Sequence, residues 1–149
     1  MTAMPMNTPV IRIVAAVILN PEGRMLLVRK RDTTRFMQPG GKYEPGETGH
    51  QAIIRELQEE LGFDLSMNDF EYVGRFTATA ANEAGHMVDS DVFFTVVETE
   101  GVIAAEIEEL IWLDPHDMDT VDLAPLTGEV LRPYIHTMSA ALLGRMDAP

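Results

Sequence analysis

The chain contains no cysteine. That alone excludes disulfide bridges and thiolate metal sites. Basic side chains are scarce, with 11 lysines and arginines against 24 aspartates and glutamates and a formal net charge of −13. Such a surface repels a phosphate backbone, so a nucleic-acid polymer is not an expected partner. A small phosphorylated substrate remains compatible with it, because one bound divalent cation inverts the local field. Long apolar runs are missing too. Ile13–Leu19 is too short to span a bilayer and reads as a buried strand. Met1–Pro9 carries no basic segment of the kind that opens a secretion signal. The expectation is a cytoplasmic protein without a membrane partner.

What is present fits one domain of ordinary size: 149 residues, 46 % of them hydrophobic. No repeat or low-complexity tract interrupts it. Residues 1–8 read as a flexible tail and residues 9–149 as a single domain. Val10–Leu19 and Arg24–Lys30 read as two strands of a hairpin around the turn cluster Asn20-Pro21-Glu22-Gly23. Residues 32–49 hold Pro39, Gly40, Gly41, Pro45, Gly46 and Gly49, a density that predicts a shaped loop without regular structure. His50–Leu61 is helical in pattern and stops at Gly62. Phe70–Thr79, Val88–Glu98 and Leu110–Leu113 read as strands, and Glu129–Leu143 as a second helix with Pro133 near its first turn. Alternating elements of this kind give an α/β domain, a mixed sheet sandwiched between helices.

The first helix carries an anomaly. On a wheel at about 100° per residue, Glu56, Glu59 and Glu60 share an arc of roughly 100°. They flank the apolar stripe of Ile53, Ile54, Leu57 and Leu61 rather than opposing it. Like charges at these spacings destabilise a helix, and near its C-terminus the macrodipole disfavours anions as well. Only Arg55 is close in sequence to compensate. A solvated acidic face is the plain reading of such a cluster. A bound divalent cation is the functional one. Oxygen ligands without His or Cys suit Mg²⁺, with Mn²⁺ as a substitute, rather than Zn²⁺. The loop before the helix favours the second reading. Pro39-Gly40-Gly41 allows close approach of backbone to a ligand, and Glu47 is near enough in sequence to fold back toward the same site.

These residues resemble a known family. Gly41, five residues, Glu47, seven residues, Arg55-Glu56-Leu57, one residue, Glu59-Glu60, one residue, Gly62-Phe63 is similar to the complete Nudix box. Seven specified residues at fixed spacing arise by chance at about 10⁻⁸ per start position, at roughly 7 % per residue. The resemblance implies a Nudix-type α/β/α sandwich and hydrolysis of a nucleoside diphosphate linked to another group. By position it implies metal ligation by Glu56, Glu59 and Glu60, with Glu47 in the same acidic shell. Arg55 would brace these carboxylates, and Gly41 and Gly62 would shape the ends of the segment. It also implies a further carboxylate from a loop before a later strand. Glu106 is preferred there and Glu109 comes second, against a solvated acidic loop. Glu59, Glu60, Arg55 and Glu106 are thus the expected catalytic set.

Water attack on phosphorus needs charge neutralised on the phosphate oxygens and a group to accept a proton. Gly40, Gly41, Lys42, Arg29 and Phe36 are expected to contact substrate, with Lys30 and Arg31 as further cations near the phosphates. The loop Asn82–His86 is a candidate for base contact, and Trp112 reads as core. Three subgroup marks are missing. Thr77–Ala80 lacks the proline of ADP-ribose hydrolases, Ala80–Asn82 lacks the tyrosine of dinucleoside polyphosphate hydrolases, and Arg29–Gln38 lacks the coenzyme A pattern. What remains resembles the MutT-like group, which cleaves nucleoside triphosphates to monophosphate and pyrophosphate. The alternatives are an ADP-ribose or nucleotide-sugar pyrophosphatase, a silent nucleotide-sensing Nudix domain, and an acidic protein that holds Ca²⁺ loosely. The silent domain would be marked by a lost ligand carboxylate, and none is lost. A homodimer is left open.

Overall fold

The computed structural model describes residues 8–146. Seven of the eight residues expected to form a tail lie outside that range. The chain runs β1 (Val10–Leu19), β2 (Met25–Lys30), β3 (Gly40–Lys42), α1 (Gly49–Leu61), β4 (Glu71–Thr79), β5 (Met87–Val96), β6 (Ile107–Leu113) and α2 (Arg132–Met146). The sheet order is β4-β5-β1-β2-β6, with β3 paired to β1. β1 and β5 are parallel over ten residue pairs, and the other pairings are antiparallel.

β1 is central, which explains its unbroken apolar run. Val14, Ala16 and Ile18 face one core with Ala52, Ile53 and Leu57 of α1. Ala15, Val17 and Leu19 face the other with Leu131 and Ile135 beside and within α2. A strand buried on both faces reads as continuous hydrophobic residues rather than as alternation. The sandwich of helix, mixed sheet and helix expected from the sequence is therefore the fold.

Three local expectations are corrected. β1 and β2 follow one another through a tight turn, yet they pair only at Leu19↔Met25. β2 then leaves to pair with β6 along its whole length. The gap it opens beside β1 is filled by β3, at Ala15↔Gly40, Val14↔Gly41 and Ile13↔Lys42. The glycine-rich stretch is thus partly a strand. Gly40 is obligatory in it, since its φ is +153° and a Cβ there would lie 2.0 Å from the Val14 carbonyl oxygen. Finally, β6 begins at Ile107 rather than at Leu110. Its acidic start is stabilised across the strands, where Glu109 pairs with Arg29 at 3.1 Å and Glu108 with Arg31 at 3.4 Å.

α1 begins and ends as its sequence requires. Thr48 caps it, accepting from Gln51 N while the Gln51 side chain accepts from Thr48 N, and Gly62 closes it in the left-handed conformation. α2 is preceded by a wide turn, Leu126–Val130, closed by Leu131 N donating to Leu126 O at 2.8 Å. Pro133 lies in the first turn of α2, where its missing N–H costs nothing. The Trp112 ring packs against the core on the α1 side, and its indole N–H donates to Glu100 O at 3.2 Å.

Candidate functional site

β3 brings the loop ahead of α1 against the acidic face of that helix. A Cβ on Gly41 would stand 2.6 Å from Glu56 Cδ, so the absent side chain is the space the Glu56 carboxylate fills. Arg55 organises the surrounding carboxylates. It donates through Nε to Glu47 Oε2 at 2.7 Å and through Nη2 to Glu47 Oε1 at 2.8 Å. Its Nη1 reaches Glu56 at 2.9 Å and Glu59 at 3.3 Å, and its Nη2 also donates to Lys42 O at 3.1 Å. One guanidinium therefore ties β3, the following loop and two turns of α1 together. The bidentate bond to Arg55 holds the Glu47 carboxyl down at about 2. The same bond keeps Arg55 firmly charged.

Glu60 differs from its neighbours. It is only 3 % exposed, whereas the Glu59 side chain is 54 % exposed. Burial first, and then a hydrogen bond and charge repulsion from Glu56, push its carboxyl well above the usual carboxylate range. Its Oε2 is buried with no hydrogen-bond partner. A buried carboxyl oxygen left without a partner is costly unless a further group satisfies it. The donor set around it is hard oxygen, which suits a small divalent cation. Among the described residues no three acidic or imidazole side chains already converge on one point. Glu59 points to solvent, and ligation by all three glutamates requires it to rotate inward and Glu60 to release its proton.

The loop before β6 docks on the same helix. Ala104 N donates to Glu60 O at 2.9 Å and Val102 N to Leu61 O at 3.0 Å, capping the last carbonyls of α1. Ala105 adopts a left-handed conformation with φ 55°, and Glu106 follows it. Glu106 is tied to Lys30 at 3.2 Å and lies near enough to Glu60 to raise its carboxyl further. Glu109, the second candidate, points the other way into its pair with Arg29.

A cavity of about 410 Å³ opens beside these groups. On the β3 side it is lined by Gly40, Gly41, Lys42, Lys30, Glu56 and Glu106. On the β5 side it is lined by Val88 and the loop residues Ala81, Asn82 and Glu83, with Ile11, Ile13 and Ala15 of β1 between. The segment Ala124, Leu126 and Thr127 closes it. Of the expected substrate contacts, the structure brings Gly40, Gly41, Lys42 and Lys30 to the cavity. Arg29 is held away by Glu109 and by donation to Thr33 O at 2.8 Å. The Phe36 ring packs in the core on the α2 side. Its backbone has a different use, donating to Asp122 O and accepting from Ala124 N, both at 2.8 Å, and so anchoring the closing segment. In the loop Asn82–His86, Asn82 and Glu83 line the cavity, while His86 turns back onto Ala84 O.

Two features escaped the sequence reading. Gln38 and Thr127 form a buried polar pair in the cavity wall. Asp91 accepts from Tyr43, from Tyr72 at 2.7 Å and from Arg12 at 2.5 Å, holding the residue after β3 to the sheet. Neither has a local sequence signature, though Tyr43 lies inside the box itself.

A family model described as the NUDIX domain matches residues 9–136. The chain belongs to the Nudix family. Among its relatives, a CTP pyrophosphohydrolase of Escherichia coli is 29 % identical over 132 residues, 85 % of this chain and 93 % of the relative. An 8-oxo-dGTP diphosphatase of Haemophilus influenzae is 30 % identical over 131 residues, 85 % of this chain and 92 % of the relative. Among solved structures, a MutT protein from Methanosarcina mazei Go1 matches with a TM-score of 0.71 at 23 % identity, covering 92 % of this chain and 98 % of that one. The fold is thus that of Nudix proteins, and the protein is a Nudix hydrolase. Nudix hydrolases as a family use divalent metal ions. Among the described residues no helix is long and apolar enough to cross a membrane.

Proposed function

We propose that the protein hydrolyses a nucleoside triphosphate to a nucleoside monophosphate and pyrophosphate, with Mg²⁺ as the physiological ion and Mn²⁺ as a substitute. One observation carries this reading. Glu56, Glu106, Lys30 and Lys42 line the same cavity as an apolar chamber large enough for a nucleoside. The names of the two relatives above, one acting on CTP and one on 8-oxo-dGTP, support the substrate class.

In this reading Glu56, Glu59 and Glu60 hold the ion, and Glu47 keeps Arg55 in place beside them. The orphaned Glu60 oxygen and the space at Gly41 fit that role. When bound, the cation supplies Lewis acidity at phosphate oxygens and makes water a better nucleophile. The chain's own groups do the rest. Lys30 and Lys42 offset charge on the phosphates. Glu106 accepts the proton of the attacking water, held at the cavity edge by the left-handed turn at Ala105. The apolar wall of Ile11, Ile13 and Val88 binds the nucleoside and excludes water from that side. The working compartment is the cytoplasm, and the domain begins at residue 9.

A Mg²⁺-dependent screen tests this directly. Ordinary and oxidised nucleoside triphosphates, ADP-ribose and dinucleoside polyphosphates are offered, with products separated by ion-exchange chromatography. The expected result is monophosphate and pyrophosphate in equal amounts from triphosphates. Turnover confined to ADP-ribose or dinucleoside polyphosphates would overturn the substrate assignment.

A further inference from the structure

We propose that Asp91 is a positioning residue for hydrolysis: by accepting the Tyr43 hydroxyl it fixes the end of β3, and with it the places of Gly41 and Lys42 beside the carboxylates of α1. The inference rests on the site proposed above and adds to it a residue two strands away. β3 needs such an anchor. It is three residues long and pairs with β1 at Ile13, Val14 and Ala15. A strand end held by so few pairs opens readily. Yet two parts of the site hang on it. Gly41 gives Glu56 its room, and Lys42 lines the cavity while its carbonyl accepts from Arg55. A shift at the end of β3 moves both together.

The register of the sheet brings Asp91 within reach. Asp91 pairs with Val14 and Val14 with Gly41, so the three share one row across β5, β1 and β3. Tyr43 lies two residues past Gly41. Its ring covers the Arg12 guanidinium at 5.1 Å, and its hydroxyl donates to Asp91 Oδ2. Arg12 donates to the same oxygen at 2.5 Å, so the ring is held along its face and at its tip. The hydroxyl also lies against the start of α1, where a Cβ on Gly49 would stand 3.1 Å from it. Tyr43 thus spans the loop between β3 and α1, the loop from which Glu47 reaches Arg55.

The bond is built to last. Asp91 is 9 % exposed. Burial alone would raise its carboxyl, but the bonds from Tyr43, Tyr72 and Arg12 hold it below the ordinary range. Burial and the bond to Asp91 push the Tyr43 hydroxyl up to about 12. The donor therefore keeps its proton and the acceptor its charge near neutral pH, and a hydrogen bond to a carboxylate is stronger than one between neutral groups. Tyr72 donates to the other carboxylate oxygen at 2.7 Å, but it belongs to β4 and takes no part in the loop.

The two tyrosines supply the test. Tyr43→Phe and Tyr72→Phe each take one hydroxyl from Asp91, keep the ring, and leave the carboxylate bonded to the other tyrosine and to Arg12. The substrate is whichever phosphoanhydride the wild type hydrolyses best. Tyr43→Phe should lower kcat about tenfold with KM within about twofold, and Tyr72→Phe should stay within about twofold of the wild type in both. Both should melt lower by a similar few degrees. Amide hydrogen exchange should quicken at β3 in Tyr43→Phe and not in Tyr72→Phe. Asp91→Ala should lower kcat at least as far, and adding Tyr43→Phe to it should lower kcat no further. If Asp91→Ala does not fold, the two tyrosine variants decide. An unchanged kcat in Tyr43→Phe, or an equal loss in Tyr72→Phe, overturns the inference. A wild type that hydrolyses other phosphoanhydrides but no triphosphate overturns the substrate assignment alone, because the comparison of the tyrosines runs on any substrate of the enzyme.

Discussion

Replacing Gly41 by alanine isolates the contact on which the site is built. A Cβ at this position would stand 2.6 Å from Glu56 Cδ and 2.7 Å from each of its oxygens. Ordinary contact begins near 3.4 Å, so the carboxylate must retreat by about 0.8 Å. The retreat is cheap for the fold, because the displaced atoms are the end of a flexible side chain. Gly41 is also not among the residues with positive φ, so its backbone accepts alanine. For catalysis the displacement is costly. A misplacement of about 1 Å in a catalytic group lowers rates by roughly 10²-fold, equivalent to about 2.7 kcal/mol at the transition state. Gly41→Ala should therefore lose about two orders of magnitude in kcat/KM for the preferred triphosphate while its melting temperature moves by only a few degrees. Gly40→Ala is the contrast. Its Cβ would meet backbone, 2.0 Å from Val14 O, and the strand pairing itself must give way. Pyrophosphate release and differential scanning calorimetry read both outcomes. Activity of Gly41→Ala within threefold of the wild type would refute the reasoning.

Three further outcomes follow from the same geometry. Ala105→Gly relieves a left-handed conformation at φ 55° and should stabilise the protein by up to about 1 kcal/mol, read by chemical denaturation; a loss of stability would contradict it. Thr48→Ala removes the oxygen that accepts from Gln51 N at 3.2 Å and should cost about 1 kcal/mol, a fall of roughly 2–4 °C in the calorimetric melt; no fall would mean that the cap is idle. Burial and Glu56 raise the Glu60 carboxyl above its unfolded value, so its favourable contribution is complete at low pH. As pH climbs past the ordinary carboxylate range, the unfolded chain ionises first and that stability drains away. Glu60→Gln should therefore flatten the decline of metal-free stability with pH between acid and mildly alkaline conditions, and should melt higher than the wild type at pH 8. A pH profile parallel to the wild type would exclude the protonated carboxyl.

Much of the fold was legible because its signals are local. Gly62 marks the end of α1 directly after its last apolar residue, and the same helix displays Glu56, Glu59 and Glu60 on one side of its apolar stripe. The placement of Arg55 among the carboxylates is what the resemblance to the Nudix box implied. What stayed hidden depends on partners far along the chain. The start of β6 looked like an acidic loop because Glu108 and Glu109 make sense only opposite Arg31 and Arg29. β3 looked like a turn because glycines that permit tight pairing with β1 resemble glycines that permit bending. Arg29 and Phe36 were plausible substrate contacts by proximity to the box. The bulge between Arg29 and Lys30 and the Phe36 bridge to Leu123 set their positions instead. Gln38 and Thr127 could not be paired by any local pattern.

Calorimetric titration of the metal-free protein with Mg²⁺ at pH 7, repeated in buffers of different ionisation enthalpy, addresses the central claim most directly. Ligation by Glu60 requires its buried carboxyl to give up a proton. The account predicts saturable binding with release of about one proton per ion in the wild type, and weakened binding with no proton released in Glu60→Gln. Binding without proton release, binding of equal strength in Glu60→Gln, or no binding at any Mg²⁺ concentration with or without nucleotide would contradict it.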